Sequence, residues 1–282
     1  MTTKRHIVSI QGETGSFHHI AARHFFGGQL EILARDSFAG VFSDLQQAKA
    51  DFAVVAVENS LAGSINEVYD LLREDGQKII GEVYMRISLN LIGQPDAKIS
   101  DVRQIYSHPV ALMEAEQYLA NLSGVDVHER HDTAGSVAYI AKSKDKSLAA
   151  ISSKESAKLY GMKVLAADIE TDKQNHTRFV LLVPRGCKNP DGANKSSIII
   201  TTNHQPGALY NALGVFAKRN INLSKLESRP IIGKGWHYYF YLDFDAGLDE
   251  HRSKQALSEL KDYTGEINIL GTYIKGKVID QA

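Results

Sequence analysis

From residue 5 to residue 184 the chain repeats one pattern: a short apolar run, a polar turn, then apolar residues spaced three and four apart. Strands are predicted at 6–10, 52–57, 86–92, 103–107, 125–129, 147–151, 163–166 and 177–183. Helices are predicted at 16–26, 38–49, 65–74, 109–121, 133–142 and 153–161, with Ser64 and Glu67 fitting a capping box for the third. Near-continuous apolar strands must be covered on both faces, so this alternation predicts an α/β region with a mostly parallel sheet and flanking helices. An alternation this long divides into two lobes, with crossings near 81–85 and 168–176. Such a fold takes its ligand in the crevice off the strand ends.

The pattern stops at PRGCKNPDGANKSS, residues 184–197, a Pro- and Gly-bearing stretch without a large apolar residue, which reads as a linker. Beyond it come strand 197–202, helix 206–219, strands 223–232 and 236–244, helix 249–262 and strand 265–274. That βαββαβ order predicts a ferredoxin-like module over 196–276, behind a first region over 1–185. Pro206 suits a helix start, and Leu209, Leu213 and Phe216 form the face that packs on the sheet.

Bulk properties narrow the partners. A net charge of −1 gives no long-range field to gather nucleic acid or coat an anionic membrane. No apolar run reaches the roughly 18 residues of a membrane span, and the N-terminus lacks the apolar core of a signal peptide. The single cysteine, Cys187, has no second thiol for a disulfide or a CxxC pair. The expectation is a soluble, cytoplasmic chain with no metal, no cofactor, no nucleic-acid partner and no membrane partner.

Polar loops at strand ends carry the candidate chemistry. QGETGSF (11–17) brings glycine backbone toward a helix N-terminus, where an anion is favoured. VENSLAGS (57–64) offers Glu58, Asn59 and Ser60: an acid, an amide and a hydroxyl in succession, or simply an Asx-type turn. In IYSHPVALMEAEQYL (105–119), Ser107 and His108 end a strand and Pro109 opens a helix, with His108 read as a capping or packing residue. In HDTAGSVAYIA (131–141), Asp132 is a natural N-cap and Thr133 follows it. NHTRFVLLVP (175–184) places Thr177 and Arg178 at the mouth of a core strand that continues with Phe179. The planar guanidinium matches a carboxylate bidentately and stays charged, and the threonine can donate to a leaving oxygen. Equally, Arg178 can pair with a local acid such as Asp172 while Thr177 merely starts the strand.

Taken in order, GETGSF, VENSLAG, YSHPVAL, DTAGS and NHTRFVLL resemble the motifs of prephenate dehydratases, and QPGALYNALGVFAKRNINLSKLESRPI (205–231) resembles an ACT regulatory domain. The resemblance implies a two-lobed, periplasmic-binding-protein-like catalytic region plus a ferredoxin-like ACT domain. It also implies a monofunctional, cofactor-free lyase that turns prephenate into phenylpyruvate on the way to L-phenylalanine, inhibited by that product. Thr177 would then bond the leaving hydroxyl, and Arg178 would hold a carboxylate. Asn59, Ser60, Ser107 and Thr133 would position the substrate, Phe179 would complete the TRF triplet, and Glu58 would rival Thr177 as proton source. L-Phenylalanine would lie against Gly207, Ala208 and Leu209 of one chain and Asn222, Leu223, Glu227, Ser228, Arg229 and Pro230 of another, within a homotetramer built as a dimer of dimers.

Three positions depart from the family pattern: Glu13 follows Gly12 where proline is common, and Val110 and Glu114 stand where glutamines are usual. An anion at Glu114 repels a carboxylate and attracts an ammonium, so arogenate, which carries one, is the competing substrate. A non-enzymatic amino-acid sensor, built from the same two lobes and module, is the competing class.

Overall fold

The computed structural model describes residues 5–203 and 205–280; Met1–Lys4, at the head of the expected 1–185 region, lie outside them. The chain forms two compact units, one from 5–68, 83–179 and 278–280, the other from 69–82 and 180–277.

The first unit opens with β1 (His6–Gln11), α1 (Phe17–Phe26), β2 (Leu30–Arg35), α2 (Phe38–Gln46), β3 (Phe52–Asn59) and β4 (Gly63–Ser64). β1 lies between β2 and β3 and is parallel to both, Ile10 facing Ala34 on one side and Val54 on the other. Its inward side chains, Val8 and Ile10, are fully hidden, as are Val54 and Val55 of β3. Burying each such side chain is worth about 1.5–3 kcal/mol. β2 is absent from the predicted strands because LEILAR mixes charge into a half-exposed edge strand. Ser64, expected as a helix cap, pairs in β4 with Glu58, and α3 (Asn66–Asp75) starts two residues later.

β5 (Lys78–Arg86) follows, and a second sheet is built from β6 (Asn90–Gly93), β7 (Gln104–Ser107), β8 (Asp126–Glu129), β9 (Leu148–Ser152) and β10 (Lys163–Ala166). Its order is β10-β6-β9-β7-β8. The predicted strand 86–92 therefore takes in two elements, the last residue of β5 and most of β6. They break where the Ile87 N–H turns to the Asn175 carbonyl and the Leu89 N–H to the Glu170 carboxylate. The connections between β7 and β10 carry α4 (Pro109–Glu114), α5 (Glu116–Ala120), α6 (Thr133–Ser143) and α7 (Lys154–Leu159). β7 is parallel to β8 and β9, whereas β6 runs antiparallel to β9 and β10. Strands joined through helices thus share one direction, and only β6, which has no such crossover before it, opposes them. The core under this sheet joins Leu89, Leu91, Ile105 and Ile151 to Ala111 and Ala115 of the α4 segment. β11 (His176–Val183) returns beside β3, its His176 carbonyl accepting from the Ser60 N–H.

The second unit contains β12 (Lys195–Thr202), α8 (Ala208–Ala217), β13 (Leu223–Pro230), β14 (Tyr238–Phe244), α9 (His251–Leu260) and β15 (Thr264–Ile274), in βαββαβ order. Its strands lie β13-β14-β12-β15, antiparallel to one another, and β15 pairs in parallel with Ile79 and Gly81 of β5 on its other side. Ile198 and Ile200 of β12 bury against Ala212, Val215 and Phe216 of α8 and Ala256 and Leu260 of α9. On the other face of β12 the hidden Lys195 ammonium meets both oxygens of the hidden Glu82 carboxylate at 3.0 Å. In the first unit, β16 (Val278–Ile279) pairs with Tyr84 and Met85 of β5. Among the described residues no helix is long and apolar enough to cross a membrane.

Candidate active site

The first unit holds a cavity of about 320 Å³ at the ends of β1, β3 and β11, where α1, α4 and α6 begin. Ser16, His108 and Asp132 are the N-caps of those helices, and all three line the cavity. The Ser16 hydroxyl accepts from the His19 N–H, His108 Nδ1 from the Val110 N–H, and Asp132 Oδ2 from the N–H groups of Gly135 and Glu13. Gly12 makes the last of these possible: a Cβ there would stand 2.6 Å from Asp132 Oδ1, and its φ of +87° is one that a side chain rarely adopts. Burial pushes the Asp132 carboxyl above its usual range, against those same N–H bonds. Burial likewise holds His108 below the ordinary histidine value.

One wall is a hydrogen-bonded cluster centred on Asn59. The Asn59 Oδ1 accepts from the N–H groups of Leu61 and Ala62 at 2.9 and 2.8 Å, which fixes the amide's orientation. Its Nδ2 therefore faces Asn175 Oδ1 at 2.8 Å, Thr177 Oγ1 at 3.0 Å and Glu114 Oε1 at 3.1 Å. Because Asn59 is the donor to Thr177, the Thr177 hydroxyl hydrogen stays free for a group in the cavity. Burial drives the Glu114 carboxyl above its ordinary range; the amides of Asn175 and Asn59 oppose that rise and Glu170 adds to it. Phe17, Phe38, Ile65, Ile87 and Phe179 give the rest of the wall an apolar character suited to a ring.

Of the site residues named from sequence, the structure brings Asn59, Thr133, Thr177 and Phe179 to this cavity, and not Glu58, Ser60, Ser107 or Arg178. The reason is strand alternation: along β11, residues 177 and 179 share one face and Arg178 takes the other. There the Arg178 guanidinium lies 4.0 Å from Glu58 and 6.0 Å from the centre of the Tyr84 ring, so its acid partner is Glu58 and not Asp172. Ser60 accepts the His176 N–H and so anchors the start of β11. Ser107 is fully buried and donates to the Ile151 carbonyl. Among the described residues no lysine or arginine lines the cavity. A helix start carries partial positive charge, which favours a nearby negative group by about 0.3–1 kcal/mol.

Glu114, named from sequence as a position that selects between substrates, lines it too, as do residues absent from the sequence-derived set: Gln11, Ser16, His18 and His131. Ser16 was legible as an N-cap ahead of a helical run; the remainder owe their place to contacts with distant segments. In the second unit, Gly207 opens α8 at φ +80° with no side-chain cap, Ala208 is buried and Leu209 half-buried. Asn222 donates to Asp245, and Leu223 begins β13, along which Ser228 and Pro230 are exposed. Glu227 accepts from Lys225, and Arg229 meets Asp70 at 2.8 Å.

The prephenate dehydratase family model matches residues 8–186, a span that contains the whole cavity. A bifunctional chorismate mutase/prephenate dehydratase of Aquifex aeolicus is 37% identical over 269 residues, covering 95% of this chain and 73% of the relative. The structure of prephenate dehydratase in complex with L-Phe from Arthrobacter aurescens superposes with a TM-score of 0.85 at 28% identity, covering 95% of this chain and 90% of that one. A solved structure described as GqqA, a novel type of quorum quenching acylase, reaches a TM-score of 0.86 at 31% identity, covering 95% and 97%. With the family model matched across most of the chain and a relative of this identity along nearly all of it, the chain belongs to the prephenate dehydratase family.

Proposed function

We propose that this chain is a carbon–oxygen lyase that converts prephenate to phenylpyruvate, carbon dioxide and water. The ring carboxylate leaves as carbon dioxide, and its bonding electrons pass through the ring as the hydroxyl on the opposite carbon departs. The ring becomes aromatic, and the departing oxygen needs one proton to leave as water. No electron acceptor or donor enters, so the protein's task is orientation and stabilisation of the leaving oxygen. The Asn59 donation to Thr177 Oγ1, which leaves that hydroxyl able to donate to a departing oxygen, is the observation that carries this reading. Thr133 and the starts of α1 and α6 receive the anionic groups, and Phe179 packs against the ring. Glu114 is the proton reservoir favoured over Glu58: it lines the cavity, hydrogen-bonds to the amide that positions Thr177, and has a carboxyl raised by burial. Arg178 and Glu58 act behind the wall, holding β11 against β3.

Residues 196–276 serve in this proposal as an ACT domain that binds L-phenylalanine and feeds product level back to the catalytic region over 1–185. The uncapped start of α8 at Gly207 suits the carboxylate of an amino acid. Asn222, Leu223 and Glu227–Pro230 of a second chain complete the pocket in a cytoplasmic dimer of dimers. Arogenate is the second substrate to weigh, because Glu114 sets an acidic group in the wall where an ammonium would be welcome. Prephenate offered at neutral pH should yield phenylpyruvate, at a rate lowered by saturating L-phenylalanine. Thr177→Ala should bind substrate and turn it over poorly. A tenfold higher kcat/KM for arogenate would displace prephenate as the substrate.

A further inference from the structure

We propose that His18 is a substrate-binding residue, donating a hydrogen bond from Nδ1 to a carboxylate oxygen of the molecule in the cavity. The assignment rests on the dehydratase reading above and deepens it. His18 sits in the second position of α1, and its ring lines the cavity. The Ala56 N–H of β3 donates to His18 Nε2 at 3.1 Å. A nitrogen that accepts from a backbone N–H carries no hydrogen of its own, so the neutral ring must hold its hydrogen on Nδ1.

Two aromatic rings fix the imidazole plane. Phe179 meets it edge-on at 5.2 Å and Phe38 at 5.8 Å. Among the described residues Nδ1 has no hydrogen-bond partner, yet it is not one of the buried polar atoms sealed away without one, so it opens to the cavity that the ring lines. Burial, reinforced by the nearby His108, lowers the His18 pKa to about 3, so the ring stays neutral through the physiological range.

A neutral donor suits a decarboxylation. A cation against the departing carboxylate would favour the charged ground state over a transition state that is losing that charge. A neutral N–H fixed by the backbone orients the same group with less of that penalty. His18 thus does from a helix what the TRF arginine was expected to do from β11.

The test uses the full chain with prephenate. His18→Leu removes both nitrogens and should raise KM about tenfold or more, the scale of one hydrogen bond to a charged group, with kcat changed less than about threefold. His18→Gln, whose amide can accept from Ala56 and still donate into the cavity, should recover most of the loss. Thermal melts show whether both variants fold. In the ¹⁵N-labelled chain, the imidazole signal lost in His18→Gln should keep a protonated Nδ1 and a bare Nε2 from pH 5 to 8. If His18→Leu folds with kcat/KM within twofold of the unaltered chain, or if the His18 signal titrates near pH 6.5, the assignment is overturned. If His18→Leu does not fold, a His18→Gln that fails to bind substrate also overturns it. No turnover by the unaltered chain would remove the dehydratase reading and this assignment together.

Discussion

Asn59→Asp is the sharpest perturbation of the site, because it changes one donor into an acceptor at constant shape. In the native chain Oδ1 of Asn59 takes the N–H groups of Leu61 and Ala62, and a carboxylate keeps both bonds, so the turn after β3 should survive. What changes is the other end. Nδ2 now donates to Thr177 at 3.0 Å and to Asn175 at 2.8 Å; the second carboxylate oxygen can only accept. The Thr177 hydroxyl must then turn its hydrogen inward to that oxygen, away from the departing hydroxyl. Loss of one donor aimed at a developing negative oxygen costs about 10²–10³ in kcat, or roughly 2.7–4 kcal/mol.

The same substitution sets a second carboxyl about 3.1 Å from Glu114 Oε1, where two negative charges do not coexist; Glu114, already raised by burial, keeps the proton and the introduced group stays an acceptor. Folding stability should fall by about 1–3 kcal/mol, for two lost donor bonds at roughly 0.5–1.5 kcal/mol each. The assay is the rate of phenylpyruvate formation from prephenate, with KM taken from the same curves and folding checked by thermal melting. KM should stay within about threefold, because the Thr177 hydroxyl and the helix starts remain in place. A folded Asn59→Asp chain with kcat within threefold of the unaltered chain would refute the argument that Asn59 frees the Thr177 hydrogen.

Glu114→Gln should raise the kcat/KM ratio of prephenate over arogenate about tenfold, since it removes the acidic group from the wall; competing the two substrates measures this. The folded pKa of Glu114 lies above its usual 4.5, so its contribution to stability is complete below that pH and is lost as pH rises through the folded value. Glu114→Gln should accordingly flatten the decline of Tm above about pH 4.5. Lys195→Met leaves the hidden Glu82 carboxylate without its ammonium and should cost about 3–5 kcal/mol in denaturant unfolding, much of it regained by adding Glu82→Leu. Gly207→Val should abolish inhibition by L-phenylalanine and leave uninhibited turnover intact, because it blocks a backbone approach at φ +80° in the second unit.

The alternation of strands and helices was legible because each element's own residues encode its period. β1, β3, β9, β10 and β11 appear within two residues of their predicted ends, and α6 and its Asp132 cap do as well. β2 escaped because an edge strand needs no unbroken apolar run, and β5 escaped because KIIGEVYMR interrupts its apolar residues with Gly81, Glu82 and Arg86. The antiparallel entry of β6 is a fact of topology, which no local pattern records. At the site, Asn59 and Thr177 were visible as polar residues at strand ends. Their joint orientation depends on partners 116 and 118 positions away, and the pKa of Glu114 on burial built by contacts as distant.

Arg178 holds the most instructive lesson, since its placement was available from the sequence itself. Thr177, Arg178 and Phe179 are consecutive in a strand, and a strand sends alternate side chains to opposite faces. Whichever face receives Thr177 must also receive Phe179 and reject Arg178; the three cannot all line one cavity without a bulge. The guanidinium accordingly lies on the other face beside Glu58, and the cavity is lined instead by the hydroxyl residues Ser16, Thr133 and Thr177 and by His18. That division fits the chemistry proposed. The carboxylate that leaves must be oriented without being strongly stabilised, and the oxygen that leaves must meet a donor as it gains charge. A permanent cation inside would serve the first need badly, whereas behind β11 it can brace the strand that presents Thr177. Arg178→Lys should therefore disturb stability and the position of Thr177 before it disturbs substrate charge recognition. Its kinetic signature should be a loss of kcat with KM nearly unchanged; a rise in KM alone would return Arg178 to the cavity as a carboxylate ligand.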